Sequence, residues 1–87
     1  MGHGDTQQAQ EMARLQKKRL TLHNQVLYAD TMGSNALANG NNARERGQSK
    51  KAEHYYDRGQ YWLDRSNELR DRIVELDQKI QHLARHQ

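Results

Sequence analysis

The sequence predicts an all-α protein: an antiparallel helical hairpin with coiled-coil (heptad) packing, dimerising into a four-helix bundle. Three observations predict it. The 87 residues contain no Pro, the residue that most disrupts helix interiors. The second half carries Ala52, Tyr55, Gly59, Trp62, Ser66, Leu69, Ile73, Leu76, Ile80 and Leu83 in unbroken three-four alternation, the pattern of a helix with one buried seam. Finally, the chain has no Cys and is only 33% hydrophobic. So short a chain buries a modest core, and a partner copy is the expected source of further stability.

Taken in order, residues 1–5 read as a flexible leader before a single domain spanning 6–86. Met1-Gly2-His3-Gly4-Asp5-Thr6 fits the loose N-myristoylation template, but a His directly after the Gly is unfavourable for that reaction. Helix 1 is expected over about 6–38, with Asp5 or Thr6 capping its start. Its seam runs through Met12, Leu15, Arg19, Leu22, Val26 and Ala29, and Ala13, Leu20 and Leu27 widen it on one side. A stripe that wide suits a helix touching more than one neighbour. Arg19 within this seam requires a partner group, because a buried unpaired charge is costly. Stacking on the Trp62 indole is one way to supply it.

The middle reads two ways. Gly33, Ala36, Gly40, Ala43 and Gly47 continue the helix 1 seam in phase, with small residues that let another backbone come close. Against that, Asn39-Gly40-Asn41-Asn42 has strong turn chemistry, and Asn42 followed by Glu45 resembles a capping box. The turn is therefore placed at about 39–42 and helix 2 at about 43–86. Antiparallel seams pack so that facing residue numbers add to about 81 or about 88. The first value is preferred. It leaves Ile80 and Leu83 overhanging the start of helix 1, which argues for a homodimer.

Charge narrows the function. The net charge is +3 and the isoelectric point is near 9.5, which permits an acidic partner. Along helix 2, Lys51, Arg58, Arg65, Arg72, Lys79 and His86 recur every seven residues. Glu68 precedes Arg72 by four residues and Glu75 precedes Lys79 by four, the favourable orientation for helix ion pairs. This stripe reads mainly as the charged flank of the seam. Helix 1 differs, for no acid lies between Met12 and Ala29. Arg14, Lys17, Lys18, Arg19, Thr21, Asn24, Gln25 and Tyr28 form the candidate binding face for nucleic acid or an acidic partner. The aromatic cluster Tyr55, Tyr56, Tyr61 and Trp62 reads as core, with Tyr61 alone exposed. Core and dimer seam together comprise Leu15, Leu22, Val26, Tyr55, Trp62, Leu69, Ile73, Leu76, Ile80 and Leu83.

No catalytic constellation stands out, so the chain is not expected to be an enzyme. No cofactor is implied. His82 and His86 are spaced to share a metal but lack a third ligand of assured proximity, so no metal site is expected. The absence of Cys suits the cytoplasm or another reducing intracellular compartment, and no apolar run approaches a membrane span. The expected function is a non-enzymatic, self-associating helical interaction module engaging a partner protein through the acid-free helix 1 face. The alternative is recognition of a double-stranded RNA or DNA backbone by that face.

Overall fold

The computed structural model describes the backbone of residues 3–86 and the side chains of residues 6–86. It is all-helical: α1 spans His3–Glu45, α2 spans Ser49–Arg85, and the two pack as a hairpin 69 Å long and 14 × 12 Å across. Met1 and Gly2 of the expected leader lie outside the described residues, and the lipidation template rests on them. Helix 1 already begins at His3, so Thr6 lies within it and is not its cap. No helix among the described residues is long and apolar enough to cross a membrane.

The turn falls at residues 46–48, not 39–42, and α2 begins at Ser49 rather than near 43. The reason lies in two glycines with different uses. Gly47 adopts a positive φ of 74°. Its N–H donates to the Arg44 carbonyl at 3.0 Å, and the Gln48 N–H donates to the Ala43 carbonyl at 2.9 Å. That pair of bonds is the Schellman closure, which favours Gly at the left-handed position. Gly40 stays helical and serves close packing instead. A Cβ there would meet the Tyr56 ring at 2.7 Å and the Tyr55 Cβ at 3.3 Å. The Asn42–Glu45 pair accordingly lies in the last turn of α1 and opens no helix.

Moving the turn changes the register. Gly33 lies against Trp62 and Gly40 against Tyr55, so facing residue numbers add to about 95 rather than 81 or 88. The value 95 lies one heptad beyond 88, so the phase of the seams is kept. The overhang is gone. Ile80 and Leu83 pack with Leu15 and Leu22 in the cluster that also holds Val26, Ala29, Leu69, Leu76, Trp62 and Ile73. Side-chain size is graded along the rod. Toward the turn the buried positions are Ala43, Gly40, Ala36, Ala52 and Gly59; toward the open end they are Leu22, Leu15 and Leu76. In α2, Ala52, Gly59, Ser66, Leu69 and Leu76 are buried and Tyr55, Trp62, Ile73, Ile80 and Leu83 half-buried. Every seam residue expected in this helix is thus at least partly covered. The widening residues are not, since Leu20 is 59% and Leu27 52% exposed.

Two sets of substitutions check this geometry by thermal unfolding. Gly47→Ala is expected to lose roughly 1–2 kcal/mol, the cost of left-handed backbone for an L-residue. Gly33→Ala places its Cβ at an ordinary 3.4 Å from Trp62 Cβ and gains up to about 1 kcal/mol of helix propensity. Gly59→Ala brings its Cβ to 2.8 Å from Leu37 Cδ2 and 3.0 Å from Leu37 Cγ, so the same propensity gain is offset by displacing Leu37 and no net stabilisation is expected. A melting temperature for Gly59→Ala above that of Gly33→Ala would contradict the register.

Candidate functional site

An antiparallel hairpin has two long sides, each built from the positions that flank the seam of both helices. Here the two sides differ in charge. On one side, Lys18 of α1 shares a groove with Arg72 and Lys79 of α2, over Leu22 and Leu76. Gln25 and Arg65 share the next, and Arg46 and Lys51 the one beside the turn. Arg58 stands one heptad from both Lys51 and Arg65. These levels recur about every 10.5 Å, seven residues at 1.5 Å each. Three acids temper this basic side. Glu11 pairs with Arg14, Glu68 pairs with Arg65 at 3.3 Å, and Glu75 lines the Lys18 groove. Among the described residues, Lys18, Lys51, Arg58, Arg72 and Lys79 form no salt bridge. The expected Glu68–Arg72 and Glu75–Lys79 pairs are not made.

Midway along the basic side is a surface cavity of about 390 Å³. Its floor is Ala29 and Leu69, and its wall is Trp62 with Tyr28. Thr21, Asn24, Gln25 and Arg65 complete the lining. The Trp62 indole meets Tyr28 edge-on at 5.6 Å and Tyr61 at 5.2 Å. The cavity follows from the packing. Ala29 is almost fully buried and level with the small Ser66, while the Trp62 Cβ is held beside Gly33. The floor is therefore low, and the indole is only half covered.

The structure divides the expected binding face. Thr21, Asn24, Gln25 and Tyr28 gather in the cavity, with the Thr21 hydroxyl donating to the Lys17 carbonyl at 3.2 Å. Lys18 joins the adjacent groove. Lys17 is exposed away from the cavity. Arg14 is neutralised by Glu11, which stands just outside the acid-free stretch. Arg19 leaves this side, because its Nε donates to Asp77 Oδ1 at 2.6 Å. The expected partner exists, and it is a carboxylate of α2 rather than the Trp62 indole. Trp62 and Arg65 belong to the cavity although the sequence placed them in core and flank. A readable signal was their position: in an antiparallel pair, flanking positions of the same heptad letter share a side.

The opposite side is charge-compensated. Ser66, 2% exposed, donates to Asp30 Oδ1 at 2.6 Å and accepts from Arg70 Nε at 3.3 Å. Arg70 also donates to Asp30 Oδ2 at 2.6 Å, closing a three-residue network. Arg19–Asp77 lies farther along, and Tyr56 donates to Asn41 Oδ1 at 2.6 Å near the turn. Between these pairs stand exposed apolar residues. Leu20 and Leu27 are each three residues before His23 and Asp30, and Val74, 56% exposed, lies between Arg70 and Asp77 on α2. At the open end the His82 and His86 rings lie 4.4 Å apart. Among the described residues no group of three potential metal ligands is gathered.

Compared with known protein families, curated proteins and solved structures, the chain matches none.

The Ser66 hydroxyl, helped by the Arg70 charge, holds the Asp30 carboxyl below its ordinary value of 3.8, against the opposing effect of desolvation. A depressed folded-state pKa stabilises the fold above the unfolded value, and the contribution is lost as pH falls through the folded one. Asp30→Asn is therefore expected to be less stable than the parent in urea at pH 7. The two should converge well below pH 3.8. A difference that persists undiminished at pH 2 would show that the Asp30 charge is not its source.

Proposed function

We propose that the protein is a non-enzymatic helical interaction module that engages an acidic partner along its basic side. On this reading it self-associates through the compensated side, with coiled-coil packing in each hairpin and a four-helix bundle as the dimer. The segregation of charge across the hairpin carries the reading. A second copy docked on the basic side would set Arg58, Arg65 and Arg72 against their own counterparts, a like-charge arrangement that disfavours association. On the compensated side the charges are already paired, and burial of Leu20, Leu27 and Val74 favours association. This ground for a dimer is independent of the overhang, which the register removed.

A nucleic-acid backbone is the second reading. It is favoured by the recurrence of unpaired cations at regular levels along one side. Neutralised phosphates release counterions, so such binding weakens steeply with salt.

Two measurements test the proposal. Light scattering at micromolar concentration should give twice the chain mass, and Leu20→Glu with Leu27→Glu should halve it without loss of helicity. A folded parent monomer would refute self-association. Duplex RNA and DNA at 50 and 200 mM salt test the second reading. Replacing Lys18, Arg72 and Lys79 with Ala should lower the salt slope by about one for each side chain that had neutralised a phosphate. An unchanged slope would move the interface off this side.

A further inference from the structure

We infer that the Trp62 cavity binds an unpaired nucleobase, with the phosphates of its strand held by the cations on either side. The inference rests on reading the basic side as an anion-binding surface, and adds what that surface selects. Four properties of the cavity carry it. First, it presents aromatic surface on Trp62 and Tyr28 over an apolar floor of Ala29 and Leu69, and stacking on such rings is how single strands are held regardless of sequence. Second, its size falls within the roughly 300–1,000 Å³ of small-molecule sites. Third, Asn24 and Gln25 each offer an amide donor and an amide acceptor, the complement of a nucleobase edge. Neither side chain has a hydrogen-bond partner among the described residues. Fourth, no acid lines the cavity and Arg65 does, its guanidinium held at the rim by Glu68 at 3.3 Å.

The flanks fit a strand. One heptad from Gln25 and Arg65 toward the open end stand Lys18 and Arg72, and one heptad from Arg65 toward the turn stands Arg58. A base in the cavity therefore has cations about 10.5 Å away along the rod in both directions. A duplex meets these cations too, but its bases are stacked on one another and cannot enter. The cavity thus selects a single strand or a loop over a duplex. An acidic peptide matches the cations but offers Asn24 and Gln25 no planar group with donors and acceptors on one edge.

Trp62 is the sole tryptophan, so emission excited at the red edge of the indole band, where the four Tyr do not absorb, reports on this cavity. The experiment titrates the full chain at 50 mM salt with a twelve-nucleotide oligouridylate and with an RNA duplex of equal nucleotide count. Polyphosphate of equal charge and an acidic peptide containing Tyr are the further arms. The expected result is quenching of Trp62 by the single strand, with affinity about tenfold tighter than for polyphosphate, the gain expected of a stacked base. Tyr28→Ala, at a site 59% exposed and so compatible with folding, should remove most of that tenfold and leave polyphosphate binding unchanged. Equal affinity for single strand and polyphosphate, with unchanged emission, would overturn the cavity assignment and leave the basic side standing. Tighter binding or stronger quenching by the peptide or the duplex would overturn it as well. If no polyanion binds, both readings fall.

Discussion

The approach of two backbones at Gly33 and Gly59 is the contact on which the rest of the molecule depends. A Cβ on Gly59 would lie 3.5 Å from the Gly33 carbonyl oxygen, and one on Gly33 would lie 3.6 Å from the Gly59 oxygen. The backbones thus approach to within one Cβ of each other; Leu37 occupies the space a Cβ on Gly59 would take, and Leu63 and Trp62 lie over Gly33 at ordinary contact distance. Such a fit is specific in height. A shift of one heptad would set Gly33 against Ser66, or Gly59 against Val26. The register then decides which flanking residues meet. It brings Lys18 to Arg72, Gln25 to Arg65 and Asp30 to Arg70, so the division into a basic and a compensated side follows from where the glycines lie.

Much of the architecture was legible in the sequence. The seams were, because burial repeats at fixed spacing along a helix and the alternation is unbroken. Their relative phase was, because antiparallel packing admits facing sums only in steps of seven. The turn was not. Asn39-Gly40-Asn41-Asn42 and Arg46-Gly47-Gln48 both carry a Gly that permits a left-handed residue. Composition favours the first, whereas the closure at Gly47 and the packing of Tyr55 and Tyr56 against Gly40 decide for the second. One misplaced turn moved the register by whole heptads and so produced an overhang that the structure lacks.

The candidate site was half legible for a related reason. The polar residues of helix 1 were visible as an acid-free run, and Thr21, Asn24, Gln25 and Tyr28 do converge. Their complement on α2 reads, from its own helix alone, as a charged flank in which Glu68 offers Arg72 an ordinary partner, whereas Glu68 pairs with Arg65. A surface made from two helices has no signature in either one until the register is known. Arg19 makes the same point from the other direction. Its place in the sequence adds it to a cationic run, whereas the guanidinium reaches Asp77 and counts toward the opposite side. Exposed pairs of this kind contribute little stability, about 0–1 kcal/mol each. Their effect here is to cancel charge where the exposed leucines are.

The grading of side chains from small at the turn to large at the open end also governs how the hairpin forms. Contacts near Gly47 join residues close in sequence, so closing them costs little loop entropy. Their fully buried positions are Ala and Gly, however, with Tyr55 and Tyr56 half-covered, and they return less free energy. Contacts among Leu15, Leu22, Leu76 and Ile80 return far more but close loops of more than fifty residues. Neither end is therefore favourable by itself: the easy closure is weak and the strong one distant. A chain graded in this direction gains most of its apolar burial only when residues far apart in sequence meet, so its two termini matter more to its stability than its turn does.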